Sequence, residues 1–254
     1  MVVELRDRNR ILPRLYEDFV TYVEEISLIE EKYLWQNVRI YVNDQNSCQE
    51  FLILRLAVSP KRKNISVYMT AESSATVQTF SDVLKEKKKI NVHVQTTTRE
   101  AHIRQFMPWL TKSYTVRYCC ATSTSFQPHC QHQEKAIRLT AENIKQFNLS
   151  ASPLFIKRLK TAPVYGYVNE HKELIATSGV GFLTKKSFGI SYTETRPEYR
   201  CQGIAKCLTS LASEPLIKKG LIGIYAADIT NQPSLRVARG LGFQPYRDLK
   251  CFYN

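Results

Sequence analysis

The sequence predicts an α/β chain of the α+β kind, built as two halves in succession. Three observations carry this. Between Ile11 and Thr122 the residue pattern runs helix, three strands, helix, strand, helix, strand. After a polar stretch, a second series of short strands and helices begins at Lys135. Within that series a strand-like run, Gly189 to Thr195, leads through a loop whose only glycine is Gly203 into a helix-like run, Leu208 to Lys219. The domain boundaries read from this are 1–122, a linker at 123–134, and 135–254.

The first half opens with Leu12, Leu15, Tyr16, Phe19, Val20, Val23, Ile26 and Leu28 at near-helical spacing. That predicts one long amphipathic helix over Ile11 to Glu30. Tyr33 to Val42, Phe51 to Val58 and Ile65 to Thr70 alternate or are β-branched and read as strands. The polar runs 43–46 and 60–64 separate them. Ser73 or Ser74 caps a helix from Ala75 to Lys87. Ile90 to Thr96 is a strand, Glu100 to Leu110 a helix with Pro108 near its end, and Tyr114 to Thr122 another strand.

Thr122 to Glu134 is rich in Ser, Thr, Gln, His and Pro and reads as the linker. Ala136 to Leu139 is a short strand. Thr140, with Glu142 just behind it, opens a helix, and Ser152-Pro153 opens the next. Val164 to Val168 and Leu174 to Leu183 pair around the turn 169–172. Phe188 to Thr195 feeds the glycine loop. Leu221 to Ile229 is a strand, and Gln244 to Tyr253 closes the second half.

Composition bounds the function. The chain has 254 residues, enough for two domains with real cores, and a net charge of +13. Its bases are spread out rather than packed in one tract, so an anionic small ligand competes with nucleic acid as the reason for the charge. No nucleic-acid motif is present, and none is expected as a partner. No apolar run approaches the roughly 20 residues that cross a bilayer. Seven cysteines without a secretory leader imply free thiols in a reducing, cytoplasmic setting. The only mark of a mitochondrial address is Arg6, Arg8, Arg10 and Arg14, offset by Glu4, Asp7, Glu17 and Asp18. Cys119, Cys120, His129, Cys130 and His132 cluster, but their spacing fits no pair of zinc knuckles and no metal is expected.

The glycine loop carries the chemistry. Backbone N–H groups at a helix start are unsatisfied, and the helix dipole adds positive charge there. Gly203 and Ala205 leave the backbone open to close approach, and Arg196, Arg200 and Lys206 add cations. Arg200-x-x-Gly203-x-Ala205, led in by Arg196-Pro197-Glu198-Tyr199, resembles the pyrophosphate motif of the GNAT acyltransferase superfamily. Asn231-Gln232-Pro233-Ser234 followed by Leu241-Gly242-Phe243 resembles that superfamily's downstream helix. The second half is most similar to the C-terminal domain of glycine N-acyltransferase-like proteins.

The resemblance implies tandem halves, each a mixed, mostly antiparallel sheet flanked by helices. It implies acetyl-CoA or another acyl-CoA as donor and a small amine, such as glycine, as acceptor. The first half has no glycine between Met1 and Lys112 and no such loop, so it reads as a degenerate copy. By the same resemblance, Arg200, Cys201, Gln202, Gly203, Ile204, Ala205 and Lys206 hold the pyrophosphate. Tyr192, Thr193 and Thr195 form the open strand edge for the pantetheine arm, and Asn231 joins the cofactor site.

Two positions depart from the family pattern. Gly189 stands where glycine N-acyltransferases place a proposed base, so Glu194 is the candidate base, with Asp228 behind it. The competing role for Glu194 is a surface partner of Arg196. Ala238 stands where many members have a proton-donating tyrosine, so Ser234 is the candidate donor; its competing role is in capping the helix with Asn231. Cys201 and Cys207 flank the loop, but no adjacent histidine offers a base, and direct transfer is expected. The alternatives are an N-acetyltransferase acting on a protein or peptide amine, and a catalytically inactive CoA-binding interaction protein.

Overall fold

A computed structural model describes residues 2–31, 37–56, 65–87, 89–94, 98, 100–129, 131, 133–147 and 153–254. In chain order the elements are β1 Val3–Glu4, α1 Leu12–Tyr16, α2 Val23–Glu30, β2 Val38–Val42, β3 Phe51–Arg55, β4 Ile65–Thr70, α3 Ser74–Leu84, β5 Ile90–Val94, α4 Glu100–Phe106 and β6 Lys112–Ala121. There follow β7 Ala136–Arg138, α5 Pro153–Thr161, β8 Val164–Val168, β9 Leu174–Leu183, β10 Ser187–Thr195, α6 Ile204–Ile217, β11 Ile222–Asp228, α7 Gln232–Gly240 and β12 Gln244–Tyr253. Most elements lie where the periodicity puts them. The chain divides into two compact units, residues 1–116 with 248–254, and residues 117–247.

In the first unit β1 to β4 pair antiparallel in sequence order, and β5 pairs parallel to β4. The β4–β5 register holds over five consecutive pairs, from Ile65↔Ile90 to Met69↔Val94. Leu52, Val67, Met69, Val77, Phe80, Val92 and Phe252 are fully buried members of its core. The long helix expected over Ile11 to Glu30 is two helices. Asp18 breaks it: its carboxylate accepts from the Thr21 N–H at 3.2 Å and the Thr21 hydroxyl at 2.8 Å. Such local side-chain bonds compete with the helical ladder. Ser73 caps α3 as expected, accepting from Thr76 N at 3.1 Å.

The final strand departs from the sequence grouping. By sequence order Gln244 to Tyr253 closes the second half. In the structure residues 250–253 pair antiparallel with β5, Lys250↔Val94 to Tyr253↔Asn91, and Phe252 joins the first unit's core. Pairing partners are non-local, and periodicity along the strand carries no information about them.

The second unit repeats the plan. β7 to β10 pair antiparallel in order, and β11 pairs parallel to β10. β6 is the neighbour of β11. Phe188, Ala212, Leu241 and Phe243 fill its core. Thr140 opens a 3-10 turn, Asn143–Phe147, rather than an α-helix; its hydroxyl accepts from Asn143 N at 3.2 Å. The stretch read as a linker is packed: Phe126 lies edge-on to Phe243, and His129 N donates to the Ser210 hydroxyl at 2.9 Å. Cys130, His132 and Ser152 lie outside the described residues. Among the described residues no three metal-ligating side chains cluster, and no helix is long and apolar enough to cross a membrane.

Candidate active site

The site begins where two strands part. β10 and β11 are in register only at Ser187↔Ile222, Phe188↔Gly223 and Gly189↔Ile224. Beyond these pairs β10 runs on to Thr195 and β11 to Asp228. A cavity of about 580 Å³ opens in the second unit, walled by Thr193 to Thr195 of β10, Tyr225 of β11, and the starts of α6 and α7.

β10 is irregular at that point. Its register with β9 shifts by one residue between Ser191↔Gly179 and Glu194↔Thr177. Tyr192 takes a positive φ of 60°, and its carbonyl accepts from the Thr177 hydroxyl at 2.7 Å. A bulge of this kind re-aims the side chains around it. Tyr192 is thereby turned onto Phe155, ring centroids 4.9 Å apart, and its side chain is not in the cavity wall. After the bulge Arg196 N donates to Ile175 O. By strand alternation the Thr195 N–H then faces away from β9, toward the open edge.

The loop follows. Pro197–Tyr199 form a 3-10 turn. Tyr199 is held by the Asn169 amide at 3.1 Å, and Arg196 pairs with Glu173 at 3.3 Å. The carboxylate that pairs with Arg196 is thus Glu173 rather than Glu194, whose competing role was that surface pair. Arg200 Nε donates to Thr195 O at 3.0 Å, tying the loop to the end of β10. Cys201 and Gly203 take positive φ, 61° and 81°. Gly203 in this left-handed conformation turns the chain into α6, whose first bond is Cys207 N to Gly203 O at 2.9 Å. The N–H groups of Ile204, Ala205 and Lys206 thus have no partner within the helix.

Of the predicted residues, the cavity brings together Thr193, Glu194, Thr195, Arg200, Cys201, Gly203, Ala205, Lys206, Asn231 and Ser234. Tyr192, Gln202 and Ile204 are not in its wall. Gln202 is exposed, and Ile204 is buried against Tyr167, Ile175 and Leu208, so Ile204 can act only through its backbone. Cys207 is fully buried. Among the described residues no histidine lines the cavity. Asp228 is spent on a turn: its carboxylate accepts from Thr230 N and the Thr230 hydroxyl, which hold it below the usual aspartate range and make it a poor base.

On α7, Asn231 is the N-cap, and its side chain accepts from Ser234 N at 3.2 Å. The Ser234 hydroxyl shares a 2.9 Å hydrogen bond with the Tyr225 hydroxyl. Tyr199 and Pro233 of the two motifs also line the wall, and Tyr225, Arg236 and Val237, which the sequence reading does not single out, complete it. The only sequence signal for Tyr225 was its place on a strand beside the cofactor loop. Burial pushes its phenol above the ordinary range, the Ser234 and Thr193 bonds opposing, so it stays protonated at neutral pH. Lys206 lies along α7: a Cβ on Gly240 would stand 3.2 Å from its Cε. The charged residues of the cavity wall are three cations, Arg200, Lys206 and Arg236, and one carboxylate, Glu194.

No family model and no curated protein sequence matches this chain. Solved structures do. A Drosophila protein is 11% identical, with a TM-score of 0.67, over 99% of this chain and 97% of its own. A GCN5-related N-acetyltransferase-like protein from Streptococcus suis is 17% identical, with a TM-score of 0.62, over 97% of this chain and 98% of its own. A GCN5-related N-acetyltransferase from Sphaerobacter thermophilus is 11% identical, with a TM-score of 0.64, over 100% of this chain and 95% of its own. At these identities the likeness is one of fold: the chain has the mixed, largely antiparallel α/β fold that these N-acetyltransferases share.

Proposed function

We propose that the chain is an acyl-CoA-dependent N-acyltransferase that moves an acyl group directly from the thioester to an amine. The observation that carries this is the parting of β10 and β11 beside a helix N-terminus that Gly203 leaves open. The arrangement suits an elongated ligand with a pyrophosphate at one end and amides along its arm. Backbone N–H groups of 201–206 and the Arg200 and Lys206 cations would hold the pyrophosphate. The open edge of β10, Thr193 to Thr195, would pair with the arm as an added strand. Donors on that edge would stabilise the charge that develops on the carbonyl oxygen.

An α-amine with a pKa of about 8 is mostly protonated at neutral pH and must lose a proton to attack. Glu194 is exposed and lies in the cavity wall, and takes that role alone or through water. A small amine such as glycine is the acceptor that the sequence resemblance favours. In the first unit β4 and β5 stay zipped over five pairs, which favours a packing role for that half.

The test is thermal melting with CoA, acetyl-CoA and a longer acyl-CoA, followed by CoA release across amine and peptide acceptors. A ligand that binds only the folded state raises the melting point. Release with small amines supports the reading; release only with peptides replaces the acceptor. Binding without any turnover replaces the enzyme with a CoA-binding interaction protein, the role that Gly189 and Ala238 at two family catalytic positions would favour. No shift with any thioester ends the acyl-CoA reading.

A further inference from the structure

A series of hydroxyls that the loop motif does not explain runs from the cavity wall into the core of the second unit. Thr209 on α6 bonds Ser178 on β9 at 2.8 Å, and Ser178 bonds Thr193 on β10 at 2.9 Å. The Thr193 hydroxyl lies beside the Tyr225 phenol on β11 and favours its charged form, and the phenol bonds Ser234 on α7 at 2.9 Å. Five elements of the second unit each supply one member. Thr209 and Ser178 are fully buried, Tyr225 is 3% exposed, and Thr193, Tyr225 and Ser234 line the cavity. Ala238, buried in the core, offers no hydroxyl from α7. A buried tyrosine hydroxyl needs partners, but two would have sufficed. Here the partners are themselves partnered, which fixes the phenol in direction as well as position.

We infer that Tyr225 is the proton donor to the departing thiolate, anchored by Ser234 and Thr193, with Ser178 and Thr209 as positioning residues behind Thr193. This rests on the acyl-transfer reading of the same cavity. In the step the amine lone pair forms the C–N bond and the C–S bond breaks, its electron pair going to sulfur. The Tyr225 O–H proton passes to that sulfur. The phenolate regains a proton from solvent through Ser234, matching the one the amine nitrogen has released. The net change moves one proton from nitrogen to sulfur. Burial keeps the phenol protonated at neutral pH, as a donor must be. Ser234 is thus the donor's partner rather than the donor itself.

The experiment compares full-length wild type with Tyr225→Phe, measuring acyl-CoA affinity by titration and turnover by CoA release. The expected result is unchanged affinity with kcat lowered on the order of 10²-fold, the low end for a general acid. Thr209→Val, which keeps volume and loses the hydroxyl, should lower kcat without moving affinity, and Thr209→Ser should restore it. Should Tyr225→Phe melt early, Ser234→Ala supplies the test, with kcat again falling at constant affinity. An active wild type whose kcat survives Tyr225→Phe, or Ser234→Ala where that variant stands in, overturns the donor assignment and leaves acyl transfer standing. Equal turnover of Thr209→Val and Thr209→Ser overturns the positioning chain. A wild type that binds acyl-CoA and turns over none, with any acceptor, overturns the reading beneath both.

Discussion

Gly189 and Ile224 are the last residues at which β10 and β11 stand side by side; beyond them the two strands separate around the cavity. In the first unit the corresponding parallel pair, β4 and β5, remains in register to Met69↔Val94. The same order of strands therefore yields an open cleft in one unit and, among the described residues, a pair that stays in register in the other.

Gly203 tests the anion site. Gly203→Ala should cost about 1–2 kcal/mol of stability, because φ of 81° is strained for any residue with a Cβ. Gly203→Glu carries the same strain and adds a carboxylate at the helix start, where it would repel an anionic ligand and compete with it for the positive end of the dipole. Isothermal titration should show acyl-CoA affinity falling much further in the Glu variant than in the Ala variant. Equal affinities in folded variants would move the pyrophosphate elsewhere.

Gly242 ends α7 with φ of 80°, and a Cβ there would run into the Ser125 carbonyl oxygen. Gly242→Ala should therefore destabilise the protein by more than the 1–2 kcal/mol of left-handed strain alone. Chemical denaturation checks this. A loss no larger than that of Gly203→Ala would mean that the segment at 122–126 yields freely.

Phe252 sits two residues before Asn254 yet is fully buried among Leu52, Val67 and Val92. Phe252→Ala should cost about 3–5 kcal/mol, the usual loss for a buried phenylalanine. Hydrogen exchange should show protection lost along β5, its pairing partner through Phe252↔Val92. A change confined to α6 and β10 would assign the terminal strand to the other unit.

Alkaline stability should turn on buried tyrosines. Burial raises the phenols of Tyr22, Tyr68 and Tyr225, Tyr68 well above its ordinary value. A raised folded pKa means the folded state holds its proton where the unfolded chain has lost it. The stability these phenols contribute is complete below about pH 10, the unfolded value, and is lost as pH rises beyond it. Melting curves from pH 8 to 11 should fall above pH 10, and Tyr68→Phe should flatten the fall. A profile identical in wild type and Tyr68→Phe would remove that residue from the linkage.

What was legible in the sequence was local. The strand, glycine loop and helix from Ser187 to Ile217 follow from periodicity, the Gly203 conformation and the Arg200 lead-in, all within about thirty consecutive residues. The α3 cap at Ser73 and the turn at 169–172 are local for the same reason. One local signal was overruled by another: the apolar spacing of Ile11 to Glu30 is helical throughout, but the Asp18–Thr21 bonds stop the helix.

Tertiary structure decided the rest. Tyr225 alternates correctly for a buried strand residue, but that its hydroxyl meets Ser234 depends on α7 packing beside β11 and on β10 turning away after Gly189. Tyr192, on the strand edge where the pantetheine arm was expected, was turned onto Phe155 by a one-residue bulge whose register only β9 defines. The last strand reads identically whichever sheet receives it, and only its pairing with β5 returns it to the first unit. A side chain's type and period are properties of the chain; its partner is a property of which distant segments come to lie beside it, because strand pairing and core packing are selected by the whole buried surface at once.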